Sequence, residues 1–160
     1  MSEINKTIIL KLIFLISIVA LVSAFFIEYV LGHQPCNLCI MERIPYLLAI
    51  IIIVLNYKFV HLEKYFILLL ILIFLIATGL SLYHLGIEQG FIKESLVCDL
   101  KNQSNLLSKE DILKQMQQKN VSCQDVTFKI FGLSLTSYNI FISLIITIFT
   151  SKIYFNYDKT

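Results

Sequence analysis

The chain has 160 residues, 58% of them hydrophobic and 15% charged, with a net charge of +2. That apolar content is well above the level of a soluble domain and points to an integral membrane protein. The near-balanced charge gives no argument for a nucleic-acid ligand.

A hydrocarbon core demands about 20 mostly apolar residues in a helix. Four segments meet that length in chain order: 7–29, 41–57, 65–85 and 133–154. In the first, "VSA" at Val22 to Ala24 resembles a signal-peptide cleavage site. The apolar run continues through Phe25, Phe26 and Ile27, so the segment is read as a retained span. The second is the weakest, because its core "LLAIIIIVL" is short and it spans only if the turn bearing Glu42 and Arg43 sits at the interface. Charge at that depth is costly and usually faces other helices. The expectation is an all-α integral membrane protein, a four-transmembrane-helix bundle forming a single membrane domain over 1–160.

Lys6, Lys11, Lys58, Lys64, Lys152 and Lys159 lie on one side of the four spans, against Arg43 in the short loop region opposite. The positive-inside bias then places both termini in the cytoplasm. Between the third and fourth spans, about 86–132, the sequence turns polar. There "SKEDILKQMQQ" starts with Ser108 and Asp111 in capping-box spacing and puts Ile112, Leu113 and Met116 on one face. A short amphipathic helix is expected in this long outer loop.

The four cysteines, Cys36, Cys39, Cys98 and Cys123, all fall on the side opposite the termini. With cytosolic termini, that side lies outside the reducing compartment, where disulfides persist. Four cysteines allow three pairings, and proximity favours Cys36 with Cys39, leaving Cys98 with Cys123. A Cys-x-x-Cys pair at a helix N-terminus is disposed to react, because the helix dipole and free N–H groups stabilise a thiolate. Arg43, four residues after Cys39, would stack over the same face of a continuous helix and add a fixed positive charge. Zinc would need a second closely spaced pair, which is missing, and haem attachment would need His where Ile40 stands. No metal is therefore expected. His84, late in the third span in "SLYHLG", should share the membrane level of Arg43, whereas His33 reads as an exposed loop residue.

"PCNLCIMER", "YH" late in the third span, a later outer-loop cysteine pair and "FGLSLTSYN" opening the fourth span together resemble the bacterial disulfide bond formation protein B family. The resemblance implies an enzyme that reoxidises a periplasmic thioredoxin-fold dithiol oxidant of the DsbA type and passes the electrons to a membrane quinone. It places the chain in the bacterial inner membrane with the long loop in the periplasm. By position, Cys36 and Cys39 would be the quinone-facing pair, Cys98 and Cys123 the partner-facing pair, and Arg43 and His84 quinone-binding residues. The chain departs from the family in having no tryptophan, in Phe128 and Tyr138 at aromatic positions, and in Glu28 where many members have glutamine. Other classes that fit the composition are a quinone-linked reductase of the vitamin K epoxide type, whose pair lies late in the chain, and a non-enzymatic tetraspan scaffold or metal-handling protein.

Overall fold

A computed structural model of the chain describes residues 3–93, 123–124, 129–130 and 132–157. Cys98 and the expected amphipathic helix, 108–118, lie outside the described residues. Among the described residues, four helical stretches are long and apolar enough to cross a membrane: Lys6–Tyr29, Asn37–Lys58, Val60–Glu88 and Leu135–Asn156. The chain is thus a four-helix membrane protein, as its hydropathy predicts.

The first span is helix α1, Glu3–Tyr29. It is followed by Gly32 in a left-handed conformation (φ 71°), which turns the chain back toward the bundle. The second span is not one helix. A single turn, α2 (Asn37–Met41), precedes α3 (Ile44–Lys58), with Glu42 and Arg43 in the turn between them. Pro45 explains the interruption, since it has no N–H to give to the carbonyl of Met41. Arg43 N–H accordingly reaches only three residues back, to Ile40. The expected continuous helix from Cys39 through Arg43 is therefore replaced by a break, and helical content begins at Asn37, ahead of Met41.

A short 3₁₀ turn, Val60–Leu62, leads into α4, Glu63–Glu88. After α4 the backbone hooks over itself, with the Phe91 and Ile92 N–H groups both donating to the carbonyl of Gly86. Ile92 packs so closely that a Cβ on Gly86 would lie 2.7 Å from it. A two-residue hairpin pairs Lys129 with Ser134 and Ile130 with Leu133 around Gly132 (φ 82°). It delivers the chain into α5, Leu135–Tyr157.

Inside a membrane, apolar side chains gain little from hiding from lipid, so close packing and satisfied hydroxyls hold helices together. Helix α4 packs most extensively on α5, with α1 on α3 and α3 on α4 completing the bundle. Phe74, Ala77, Ala49, Ile53 and Ile146 fill the centre, while Val22, Ile76 and Phe141 face outward. The hydroxyls of Ser17, Thr78, Ser143, Thr147 and Thr150 each lie within donating distance of the carbonyl one turn back, and the Thr78 hydroxyl also lies 3.0 Å from the Ser143 hydroxyl across the α4–α5 seam. At the far end of the bundle from the cysteines, Lys6 and Glu63 form an ion pair at 2.8 Å.

Candidate active site

Cys36 occupies the N-cap position of α2, with extended backbone geometry (φ −70°, ψ 168°). Its sulfur takes the role usually played by a Ser or Asp oxygen, accepting the N–H of Cys39 at 3.3 Å. The Cys39 sulfur lies 2.7 Å from the Cys36 sulfur, and both cysteines are free. The i to i+3 spacing therefore brings the pair together, while the capping N–H goes to Cys36 rather than Cys39. The Cys36 thiol is lowered to about 5 from an ordinary 9.0. The hydrogen bond from Cys39 is the largest cause, burial opposes it, and the hydrogen bond and charge of His84 add to the lowering.

His84 comes from the last turns of α4 and is buried, 1% exposed. Its Nε2 lies 3.5 Å from the Cys36 sulfur and its Nδ1 2.9 Å from Glu42 Oε1. A ring whose Nδ1–H is tied to a carboxylate presents Nε2 toward the sulfur. Glu42 is held in turn by Asn139 of α5, whose amide donates to Glu42 Oε2 at 3.0 Å and to Ser81 at 2.8 Å. Tyr46 donates to the side-chain oxygen Oδ1 of Asn139. Thr136 donates to Glu88 Oε1 at 2.6 Å and stands 3.3 Å from His84 Nδ1. The buried polar cluster thus spans α2, α3, α4 and α5, with its members partnered as groups at membrane depth require.

Beside this cluster lies a cavity of about 580 Å³, walled by aliphatic residues of α1 and α5 such as Val19, Ala24, Ile142 and Ile146. Cys39, Glu42, Arg43 and Asn139 reach its wall, and so does His33. His33 is half-buried there, which corrects its reading as an exposed loop residue. His84 is not among the residues that line this cavity; it stands behind Cys36, with Nε2 3.5 Å from the sulfur. Because the helix breaks after Met41, Arg43 turns toward α1. There Nη1 pairs with Glu28 Oε2 at 2.5 Å and the guanidinium lies over Phe25, 5.3 Å from the ring centroid.

Cys123 is disulfide-bonded and 3% exposed, and it packs in one buried cluster with Cys36, Leu38 and Ile87, against which Cys39 also rests. A disulfide-bonded cysteine from beyond the third span therefore shares a buried cluster with the helix pair. Sequence profiles bear on this arrangement: the profile of the family described as disulfide bond formation protein DsbB matches residues 6–152. The chain belongs to the DsbB family. This DsbB family member is also 35% identical over 147 residues to an uncharacterized protein, RP370, of Rickettsia prowazekii (strain Madrid E). The match covers 91% of this chain and 85% of that relative. No solved structure matches it. As a member of the DsbB family it is an integral membrane protein of disulfide bond formation.

Glu42, Asn139, Ser81, Thr136 and Glu88 are the site residues that sequence reasoning left without a role. Glu42 carried a signal, being a carboxylate beside an arginine at the start of a span. The hydroxyls and the amide carried none, because their importance comes only from facing the His84 side of the bundle.

Proposed function

We propose that the chain is a membrane thiol oxidase: it reoxidises a periplasmic thioredoxin-fold dithiol oxidant of the DsbA type and transfers the electrons to a membrane quinone. The observation that carries this reading is the double placement of one sulfur pair, with Cys39 on the wall of an apolar cavity and Cys36 in one buried cluster with disulfide-bonded Cys123. One end of the pair meets a lipid-like slot and the other meets a second redox pair. Both termini lie in the cytoplasm on this reading, and the chain sits in the bacterial inner membrane.

The cavity suits a quinone, since aliphatic walls accept a flat apolar ring while Arg43 supplies a planar fork of donors at the cysteine end. Glu28 engages Nη1, and a guanidinium has five N–H donors, so donors remain for a ligand oxygen. A bound quinone would supply an acceptor for two electrons and two protons. The protein's own part begins in the loop, where the partner's thiolate attacks Cys98 and Cys123 leaves. The Cys123 thiolate then attacks Cys36, and Cys39 is released as a thiolate at the cavity wall; the partner's second thiolate closes the partner's own disulfide and frees Cys98, whose thiolate attacks Cys123, restoring the loop disulfide and releasing Cys36. When Cys36 and Cys39 are both reduced, His84 Nε2 holds the Cys36 proton and Glu42 holds the ring in place. Closing the sulfur–sulfur bond returns the pair to its starting state and releases two electrons into the cavity.

The test is thiol trapping on prereduced protein before and after adding a short-chain quinone without oxygen. Cys36 and Cys39 should lose their reactivity within one turnover. Thiols that stay fully trappable under excess quinone would defeat the reading.

A further inference from the structure

We propose that the reduced pair has a second ligand: Cys36, Cys39 and His84 form a binding site for a thiophilic divalent cation of the zinc class. The three ligand atoms lie within 4.8 Å of one another, two of the residues buried and the third half-buried. A tetrahedral zinc ion with Zn–S of about 2.3 Å and Zn–N of about 2.0–2.1 Å sets its sulfur and nitrogen ligands roughly 3.5 Å apart and two sulfurs roughly 3.8 Å apart. The Cys36 sulfur stands 3.5 Å from His84 Nε2, already at the first separation. The sulfurs, at 2.7 Å, must part by about 1 Å to reach the second. Cys39 can make that movement because its side chain borders the cavity.

Two further observations point to a cation. Glu42 Oε1 takes the Nδ1 side of the ring at 2.9 Å, the carboxylate–histidine arrangement that turns Nε2 and its lone pair toward a metal. Two thiolates also cancel a charge of 2+ beside a neutral imidazole, so the ion and its three ligands add no net charge at the membrane boundary beyond that of the Glu42 carboxylate. The fourth position faces the cavity and is open to water or a small anion, the pattern of an exchangeable site. The sequence conceals this set, since the ligand that completes it comes from α4.

The site exists only in one redox state. A Cys36–Cys39 disulfide has no thiolates to give, and a metal-bound pair cannot close its disulfide until the ion leaves. The cation is therefore a redox-gated inhibitor of electron transfer, a consequence that rests on the proposed oxidase activity, whereas binding itself does not.

The experiment uses the full chain in detergent, reduced by a phosphine without oxygen, thiol reagents or quinone, and titrated with Co²⁺. One equivalent should bring up near-ultraviolet thiolate-to-cobalt absorption with intense tetrahedral visible bands, both abolished by Zn²⁺. The disulfide form and Cys36→Ser should show neither, while Cys98→Ser/Cys123→Ser should keep both. His84→Ala should lose the tetrahedral bands, and Glu42→Gln, which keeps all three ligands and so guards against a folding defect, should bind about 10-fold more weakly. A reduced wild-type protein without these bands, bands unchanged in both His84→Ala and Glu42→Gln, or bands lost with the loop cysteines would each overturn the site. Zn²⁺ should then slow quinone-driven closure of the pair in proportion to occupancy. Closure at full speed in the zinc-loaded protein would remove the inhibitory role and leave both the site and the oxidase reading standing.

Discussion

Glu42→Gln separates a structural carboxylate from one that governs proton traffic. The carboxylate accepts two N–H bonds, from His84 Nδ1 at 2.9 Å and Asn139 Nδ2 at 3.0 Å. A glutamine of the same shape has one acceptor oxygen and one donor nitrogen. Asn139 cannot turn over to suit it, because its amide nitrogen also donates to Ser81 and its oxygen accepts from Tyr46. The new oxygen must face Asn139 and the new NH₂ must face His84. Nδ1 then becomes an acceptor, the ring proton moves to Nε2, and the position that held the Cys36 proton is already filled. The loss is that of a charge-assisted hydrogen bond to the protonated ring, about 1.5–3 kcal/mol, or about 10- to 150-fold in the population of the competent state. The assay is single-turnover closure of the prereduced pair with a short-chain quinone, followed by thiol trapping. The variant should fall by that factor at neutral pH and recover as alkali replaces the ring as base, while exchange of the loop disulfide with the reduced partner stays normal. A Glu42→Gln rate within about threefold of wild type at every pH would refute the tautomer argument.

Four more outcomes are expected. Arg43→Lys keeps the charge but loses the fork and the stacking over Phe25, so the KM for quinone should rise several-fold with a smaller change in kcat; an unaltered KM would reduce Arg43 to an interfacial anchor. Because the Cys36 thiol is lowered to about 5, its alkylation by a small reagent should be flat near neutral pH and fall only as the pH drops through about 5, as read by mass spectrometry; a midpoint near 9 would contradict the hydrogen-bond assignment. Cys123→Ser leaves Cys98 a free thiol with no neighbouring thiol to expel the partner, so a mixed disulfide between Cys98 and added oxidised partner should accumulate on non-reducing gels, and none would appear if the loop pair were merely structural. A membrane-impermeant thiol probe should label reduced Cys98 in cells stripped of their outer membrane, and labelling only after lysis would reverse the orientation.

The four spans were legible because uninterrupted apolar length is a property of the chain itself. The edge of the second span was not, since Pro45 acts on a hydrogen bond to Met41 that hydropathy does not register. Cys36 with Cys39 could be read from spacing, because one helical turn brings such residues together wherever the helix lies. The contact between His84 and Cys36 could not, as it depends on how α4 sits against α2. Nor could the opposite fates of Glu42 and Arg43, neighbours in the chain, be separated before the break between α2 and α3 was known. Asn139 and Thr136 lie in "FGLSLTSYN", which marked the family without disclosing that these two side chains hold Glu42 and Glu88.

The break after Met41 also has a mechanical consequence. Opening or closing a sulfur–sulfur bond shifts and rotates the backbone that carries it, and a continuous helix would transmit that rotation along its whole length. Here the moving part is α2, one turn of five residues, while α3 is anchored separately by Tyr46, Ala49 and Ile53 in the core. The turn acts as a decoupling joint, letting the cysteines change bonding partners while the lipid-facing rows of Leu47, Ile51 and Val54 keep their register. On the proposed oxidase reading, each cycle would then run without reworking the contact between protein and bilayer.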